Sequence, residues 1–192
     1  MRPELDWHVP PHGAGEVGDS TIAFAAGPRT DLFTDPAGGE PKTDAPLLLG
    51  TPTGDFQLRA RVSAPLAATF DAAALVVWAS PAAWGKLALE YSPQGESTIV
   101  SVVTRAASDD ANAFTVPERA AWLRIARRGE TLAFHASVDG RWWSLIRFFT
   151  FPGAGGASAG FLVQSPTGDG LAGRFDEVAW SAGPLAELRD GT

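Results

Sequence analysis

The residues best suited to ion pairing or acid–base chemistry lie in one strand-like segment, "WGKLALEYS" at positions 84–92. Its side chains alternate, so that Trp84, Lys86 and Glu90 share one face while the leucines share the other. Period two is typical of a strand with one buried face and one solvent-facing face. A lysine and a glutamate on the solvent-facing side are suited to an ion pair or to acid–base chemistry. This face is therefore the first candidate for a functional site.

Strands are the elements that must position this pair. The runs "AALVVWAS" (73–80) and "STIVSVVTR" (97–105) flank it, and the short links "PAA" and "PQGE" are typical of antiparallel turns. Asp139–Gly140 predicts a tight hairpin turn further along. The chain has a pattern of about eleven or twelve strands and no convincing amphipathic helix, which predicts an all-β sandwich or barrel.

The segments between these strands also allow predictions about loops and short strands. Residues 28–54 are rich in Pro, Gly, Asp and Thr and predict a long loop, with a short buried strand at 47–50. A loop of this length is usually functional or packed down on the body of the domain. Residues 106–119 predict a polar loop, and the two prolines after Trp7 argue against a regular strand there. The tail at 184–192 predicts a final helical turn or a frayed end.

Composition limits the function classes. A chain of 192 residues fits one domain spanning 1–192, and the net charge of −7 disfavours a nucleic-acid partner. The absence of cysteine excludes disulfides and thiolate metal sites, and it fits a cytoplasmic location. The first fifteen residues contain no apolar core segment, so no signal peptide is expected. No run reaches the roughly 18 apolar residues of a membrane helix, so no membrane association is expected.

Glycoside hydrolysis requires two carboxyl groups on either side of the scissile bond. Glu90 is the only acidic residue of its strand, so a second carboxylate would have to come from elsewhere, with Asp176 and Glu177 as the candidates. The sequence therefore leans toward a protein without catalysis, and it assigns Glu90 as the catalytic residue if the protein is an enzyme.

No metal or cofactor is expected. The histidines His8, His12 and His135 lie too far apart in the sequence for a zinc motif. Asp109 and Asp110 are adjacent in a polar segment, where such pairs are usually solvated rather than bound to calcium.

The order of several segments resembles a known family. These are "FDAAALVVWASPAAWGKLALEY", "SVVTRAASD", "LRIARRGETLAFHASVDGRWWSLIRFFTF" and "AGFLVQSPTGDGLAGRFDEVAW". They are similar to the uncharacterised domain family typified by the fungal regulation-of-enolase protein, with the strongest resemblance over 30–180. The resemblance implies a concanavalin A-like lectin/glucanase fold, a jelly-roll sandwich of two bent antiparallel sheets with a concave side.

Strand alternation places an aromatic residue and several charged groups on the solvent-facing, concave sheet face. These candidate ligand-binding residues are Trp78, Lys86, Glu90, Arg124, His135 and Arg147. Indole stacks on sugar rings and charged groups bind hydroxyls, so the set suits a saccharide. The leading hypothesis is a non-catalytic, lectin-like carbohydrate-binding domain. A glycoside hydrolase or lyase using Glu90 is the first alternative, and a regulatory module that binds a protein partner is the second.

Overall fold

The computed structural model describes residues 2–191, which fold into antiparallel β-strands apart from loops and one 3₁₀ turn at Ala154–Gly156. Sheet I has the spatial order β1 (Asp6–Val9), β6 (Leu47–Gly50), β15 (Ser158–Gln164), β8 (Ala72–Ser80), β9 (Ala83–Tyr91), β10 (Ser97–Arg105) and β11 (Ala107–Thr115). Sheet II has the order β14 (Ser144–Phe149), β13 (Thr131–Ser137), β12 (Ala120–Arg128), β7 (Phe56–Ser63), β16 (Leu171–Ala182), β3 (Ile22–Ala26) and β2 (Glu16–Val17). A separate two-stranded ladder pairs β4 (Leu32–Phe33) with β5 (Lys42–Thr43).

The two sheets enclose the main apolar core, where β12 packs across β8 and β9. The alternation in the sequence explains which side chains enter it. In β9, Leu87 and Leu89 point between the sheets and are fully buried. In β7, Leu58 and Val62 do the same, while the intervening polar residues face outward. The predicted all-β sandwich of two large antiparallel sheets is confirmed.

A second apolar cluster covers the outer face of sheet I, the face that carries Lys86. It includes Val76, Trp84 and Val102 from the sheet and Leu32 from the long loop at 28–46. The loop therefore packs down on the sheet, as its length predicted. The face predicted to meet solvent is largely covered, so burial on both sides explains the continuous apolar runs of β8 and β10.

Two expectations about individual segments were wrong. The segment at 106–119 contains β11, an edge strand whose polar residues keep its outer edge solvated and disfavour pairing with a further strand. The residues around Trp7 form a short strand, β1, which pairs with β6 before Pro10 ends it. The tail at 184–191 docks on the outer face of sheet II and ends in a single helical turn, closed by a hydrogen bond from the Gly191 N–H to the Glu187 carbonyl oxygen at 3.1 Å, as predicted; Thr192 lies outside the described residues. With the two-residue strands included, residues 2–191 form sixteen strands rather than eleven or twelve. No helix formed by these residues has the length and apolar character needed to cross a membrane.

In sheet I, the neighbouring strands β15 and β6 lie in close backbone contact. Gly160 in β15 lies opposite Leu49 of β6, and a methyl group added to Gly160 would overlap the carbonyl oxygen of Leu48. Only a residue without a side chain fits there.

Gly160→Ala is therefore expected to lower the free energy of unfolding by about 1–3 kcal/mol or more, because the added carbon forces β6 and β15 apart. Urea denaturation measures the change. Gly156→Ala is the matched control, since a methyl group there would meet no heavy atom within 4 Å. Equal unfolding midpoints for the two variants would contradict the packing described for Gly160.

Candidate functional site

A cavity of about 240 Å³ opens on the outer face of sheet I, where Lys86 and Glu90 lie. We refer to it as the Lys86–Glu90 cavity. Val100 and Val102 of β10 contribute to its sheet side. The small side chains of the neighbouring β8 and β9 positions on this face leave room above the sheet; these are Ala72, Ala74 and Ala88.

The long loop supplies another wall. Asp31 and Phe33 line the cavity, and the segment is held in place by its own hydrogen bonds. The carbonyl oxygen of Asp31 accepts from the backbone N–H groups of Asp44 and Ala45, and the Asp44 carboxylate accepts from the Asp31 N–H at 2.9 Å. These contacts fix the loop as a β4–β5 hairpin, so hydrogen bonds hold this wall of the cavity in one position.

Lys86 is 1% exposed, and two of its three N–H donors bind neutral groups. Its Nζ donates to the carbonyl oxygen of Leu32 at 2.6 Å and to Oε1 of Gln164 at 2.7 Å. Burial lowers the pKa of Lys86, and the neighbouring carboxylates oppose this effect. The predicted Lys86–Glu90 ion pair is absent from the described residues, where the amine binds the hairpin and β15 instead.

Gln164 links Lys86 to Phe70, which forms another wall of the cavity. Its Nε2 donates to the carbonyl oxygen of Phe70 at 3.2 Å, and the Phe70 N–H donates to the carbonyl oxygen of Tyr91 at 2.8 Å. Phe70 has a φ of 69°, an uncommon conformation for a bulky residue, and its side chain is 42% exposed at the cavity. Strained residues of this kind persist where the surrounding structure holds them, often at ligand sites.

Three carboxyl groups line the cavity around the single lysine: Asp31, Glu90 and Asp110. Burial raises the pKa of Glu90 to about 7, with Lys86 acting in the opposite direction. Burial likewise raises the pKa of Asp31. Oδ1 of Asp31 is buried and accepts no hydrogen bond within residues 2–191. The cavity thus holds an excess of acceptors over donors.

The structure brings together only part of the predicted site. Trp78 lies on the same face as Lys86, but it sits opposite Trp84 in the next strand and packs against the ring of His8 at 5.1 Å. It does not contribute to the cavity wall. Lys86 and Glu90 do line it, on the predicted face of their strand.

The placement of Arg147 on this face was wrong. Arg147 belongs to β14 at the edge of sheet II and points between the sheets. Its Nε donates to Oγ of Ser101 at 3.1 Å, and it forms an ion pair with Asp109 at 3.3 Å. Arg147 therefore joins the two sheets along one edge of the sandwich.

Arg124 and His135 are also separated from the cavity, since they lie side by side on the outer face of sheet II. The tail covers them: Arg124 donates to the carbonyl oxygen of Gly191 at 2.7 Å, and Nε2 of His135 donates to that of Leu188 at 2.8 Å. Burial lowers the pKa of His135 to about 4, and the positive charge of Arg124 adds to the effect. Both residues serve to anchor the tail.

The candidate partner acids for Glu90 were also misplaced. Asp176 and Glu177 belong to β16 of sheet II, where Asp176 binds Arg174 and Glu177 binds the indole N–H of Trp122. The acids near Glu90 are instead Asp31 and Asp110. Within residues 2–191, no group of three or more His, Asp and Glu side chains is arranged to hold a metal ion.

Sequence reasoning missed Asp31, Phe33, Phe70 and Gln164 as cavity residues. Only the unusual length of the segment at 28–54 pointed to a functional wall, without indicating which residues form it. Asp110 was considered as a calcium ligand in a loop, whereas it lies on β11 directly across β10 from Lys86.

Comparison with known proteins agrees with this architecture. A family model described as "Protein of unknown function (DUF1349)" matches residues 7–182, so the chain belongs to that family. No curated protein matches the chain. A functionally unknown protein from Saccharomyces cerevisiae is 23% identical, with a TM-score of 0.85 over 93% of this chain and 96% of that one.

Two proteins that act on carbohydrates share the fold at lower identity. The glycoside hydrolase family 43 protein BlXynB (K247S mutant) from Bacillus licheniformis is 15% identical, with a TM-score of 0.73 over 93% of this chain but only 37% of that one. The alginate lyase from Klebsiella pneumoniae is 13% identical, with a TM-score of 0.56 over 88% of this chain and 84% of that one. These likenesses show that the chain shares their β-sandwich fold and nothing beyond the fold.

The raised pKa of Glu90 makes a prediction about stability. The folded state holds a proton on Glu90 that the unfolded chain has already released, so this group should cost stability as the pH rises from about 4.5 to about 7. Glu90→Gln removes that cost. We expect the variant to melt several degrees above the wild type at pH 8 and at a similar temperature at pH 5.

Thermal melts monitored by circular dichroism across this pH range provide the measurement. Glu118→Gln is the control, because Glu118 is exposed and lies outside the cavity. A constant difference between Glu90→Gln and the wild type at both pH values would show that Glu90 ionises normally, against the prediction.

Proposed function

We propose that this protein is a lectin-like module that binds a saccharide in the Lys86–Glu90 cavity. The observation that carries the proposal is the combination of three carboxyl groups, one of them with a buried oxygen that accepts no hydrogen bond, with two phenyl rings in one preformed cavity. Asp31 and Glu90 offer acceptors for sugar hydroxyls, while Phe33 and Phe70 offer apolar surface for a sugar ring. Ligand sites commonly combine largely apolar walls with a few placed polar groups.

The rigidity of the site supports the same proposal. Lys86 joins the hairpin to β15 through Leu32 and Gln164, and Gln164 in turn holds the backbone of Phe70. Binding therefore requires little ordering of the walls, which reduces the entropic cost of association. The size of the cavity suits one or two sugar units rather than a protein segment.

Binding by titration calorimetry tests the proposal against a panel of neutral, amino and acidic oligosaccharides. We expect at least one to bind with a Kd in the millimolar range or below. Asp31→Asn and Phe33→Ala should each weaken that binding by about fivefold or more, because each removes one recognition group.

Asp35→Asn is the matched control, since Asp35 is an exposed acid of the same hairpin outside the cavity. Thermal melts establish that each variant folds. Failure of every saccharide to bind, or binding that both Asp31→Asn and Phe33→Ala leave unchanged, would refute the saccharide site.

A glycoside-cleaving enzyme is a second candidate, favoured by the ionisation of the cavity acids. Hydrolysis needs one protonated acid and one carboxylate near the same bond. Glu90, with a pKa of about 7, is suited to donate a proton, and Asp110 lies in the same cavity as a second carboxyl group. This reading keeps the catalytic role that the sequence assigned to Glu90.

If the protein is a glycoside-cleaving enzyme, it should release reducing ends from one of the oligosaccharides that bind. Glu90→Gln should lower that activity by at least about 100-fold. Reducing-sugar assays with purified protein provide the measurement. Glu118→Gln should retain full activity. Binding without turnover by the wild type would leave the lectin-like function alone. The alternative of a regulatory module that binds a protein partner stays a prediction, based on the resemblance to the regulation-of-enolase family.

A further inference from the structure

The Lys86–Glu90 cavity has more negative than positive groups. Asp31, Glu90 and Asp110 surround one lysine, and each influences the pKa of its ammonium. The two ion pairs of the described residues lie elsewhere, joining Arg147 to Asp109 and Arg174 to Asp176. A negative field in a partly closed cavity is screened less than at an open surface, so it selects among ligands by charge.

The hydrogen-bonding groups show the same imbalance. Lys86 already donates to Leu32 and Gln164, so little of its donor capacity is left for a ligand. Asp31 has a buried oxygen without a donor, and burial keeps Glu90 from ionising fully at neutral pH. A ligand that completes this site must bring N–H or O–H donors, and a positive charge would stabilise both carboxylates.

We propose that the saccharide bound in this cavity is an amino sugar with a free, protonated amino group. The inference rests on the proposed saccharide-binding function and names its ligand class. The ammonium would lie among the carboxyl groups of Asp31, Glu90 and Asp110, where its N–H groups meet carboxylate oxygens. The rings of Phe33 and Phe70 attract a cation through their faces and pack against the sugar ring.

The same charges exclude two related ligand classes. A uronic acid would bring a carboxylate into a cavity that already holds three acidic groups against one lysine. An N-acetylated sugar has no charge on its nitrogen and keeps a single N–H there. It therefore leaves the carboxylates without their counter-charge.

A matched set of ligands tests the inference. Tetramers of glucosamine, N-acetylglucosamine, glucose and guluronate are titrated into the wild-type protein at low ionic strength and neutral pH, where the sugar amine, a weaker base than the lysine amine, still carries part of its protons. We expect the glucosamine tetramer to bind about tenfold or more tightly than each of the others, the factor gained when a neutral hydrogen bond becomes a charged one. Its affinity should pass through a maximum near neutral pH, because Glu90 becomes protonated at lower pH and the sugar amine loses its proton at higher pH.

Since the chain carries a net charge of −7, attraction to the surface at large must be separated from the cavity. Asp31→Asn should reduce the preference for glucosamine over glucose to about threefold or less, whereas Asp35→Asn should retain it. Glu90→Gln should behave like Asp31→Asn and provides the same test if that variant fails to fold.

The outcomes distinguish the two levels of the proposal. If the glucose or N-acetylglucosamine tetramer binds as tightly as the glucosamine tetramer, the ligand class is refuted while saccharide binding stands. If the guluronate tetramer binds most tightly, the charge argument is refuted. If the glucosamine preference is equal in wild type, Asp31→Asn and Glu90→Gln, the attraction comes from the surface and the inference fails. If no tetramer binds, the proposed function itself fails.

Discussion

The burial of one lysine ammonium is the interaction on which the outer face of sheet I depends. Lys86 sits on a β-strand at a position where an apolar residue would extend the surrounding cluster. Its amine compensates for lost water by donating to Leu32 and Gln164, which joins the hairpin to the sheet. A buried amine can be retained only with such partners, so the hairpin position and the lysine are mutually dependent.

The carboxyl groups near this amine do not neutralise it through direct contact. Neither Asp31 nor Glu90 accepts a hydrogen bond from Lys86, and burial raises the pKa of both carboxyl groups. Groups with perturbed pKa values in a cavity are candidates for function, because a purely structural role would be served better by ion pairs. The wall residue Phe70, with its uncommon backbone angle, supports the same conclusion, since such conformations concentrate at binding sites.

Elsewhere the protein uses cationic side chains to hold irregular backbone in place. Arg127 is 2% exposed and donates to the carbonyl oxygens of Pro52, Gly54 and Ala157. Arg124 does the same for the tail, and the neutral imidazole of His135 adds a second hydrogen bond to it. A loop buried against a sheet has carbonyl groups without strand partners, and a long cationic side chain can reach several of them. Most of the charged residues predicted for a ligand site therefore serve the fold.

The amino-acid sequence by itself determined most of the strands, the sandwich class and the face of β9 to which Lys86 and Glu90 belong. These follow from local alternation, which needs no knowledge of distant residues. The tertiary structure alone decided which strands share a sheet and which loops cover them. Arg124 and His135 lie on strands with the same alternation as Lys86, yet they belong to the other sheet, and strand period carries no information about sheet membership. Leu32 and Gln164 reach Lys86 across 54 and 78 positions of the chain, and only the packing of the hairpin and β15 around Lys86 brings them together.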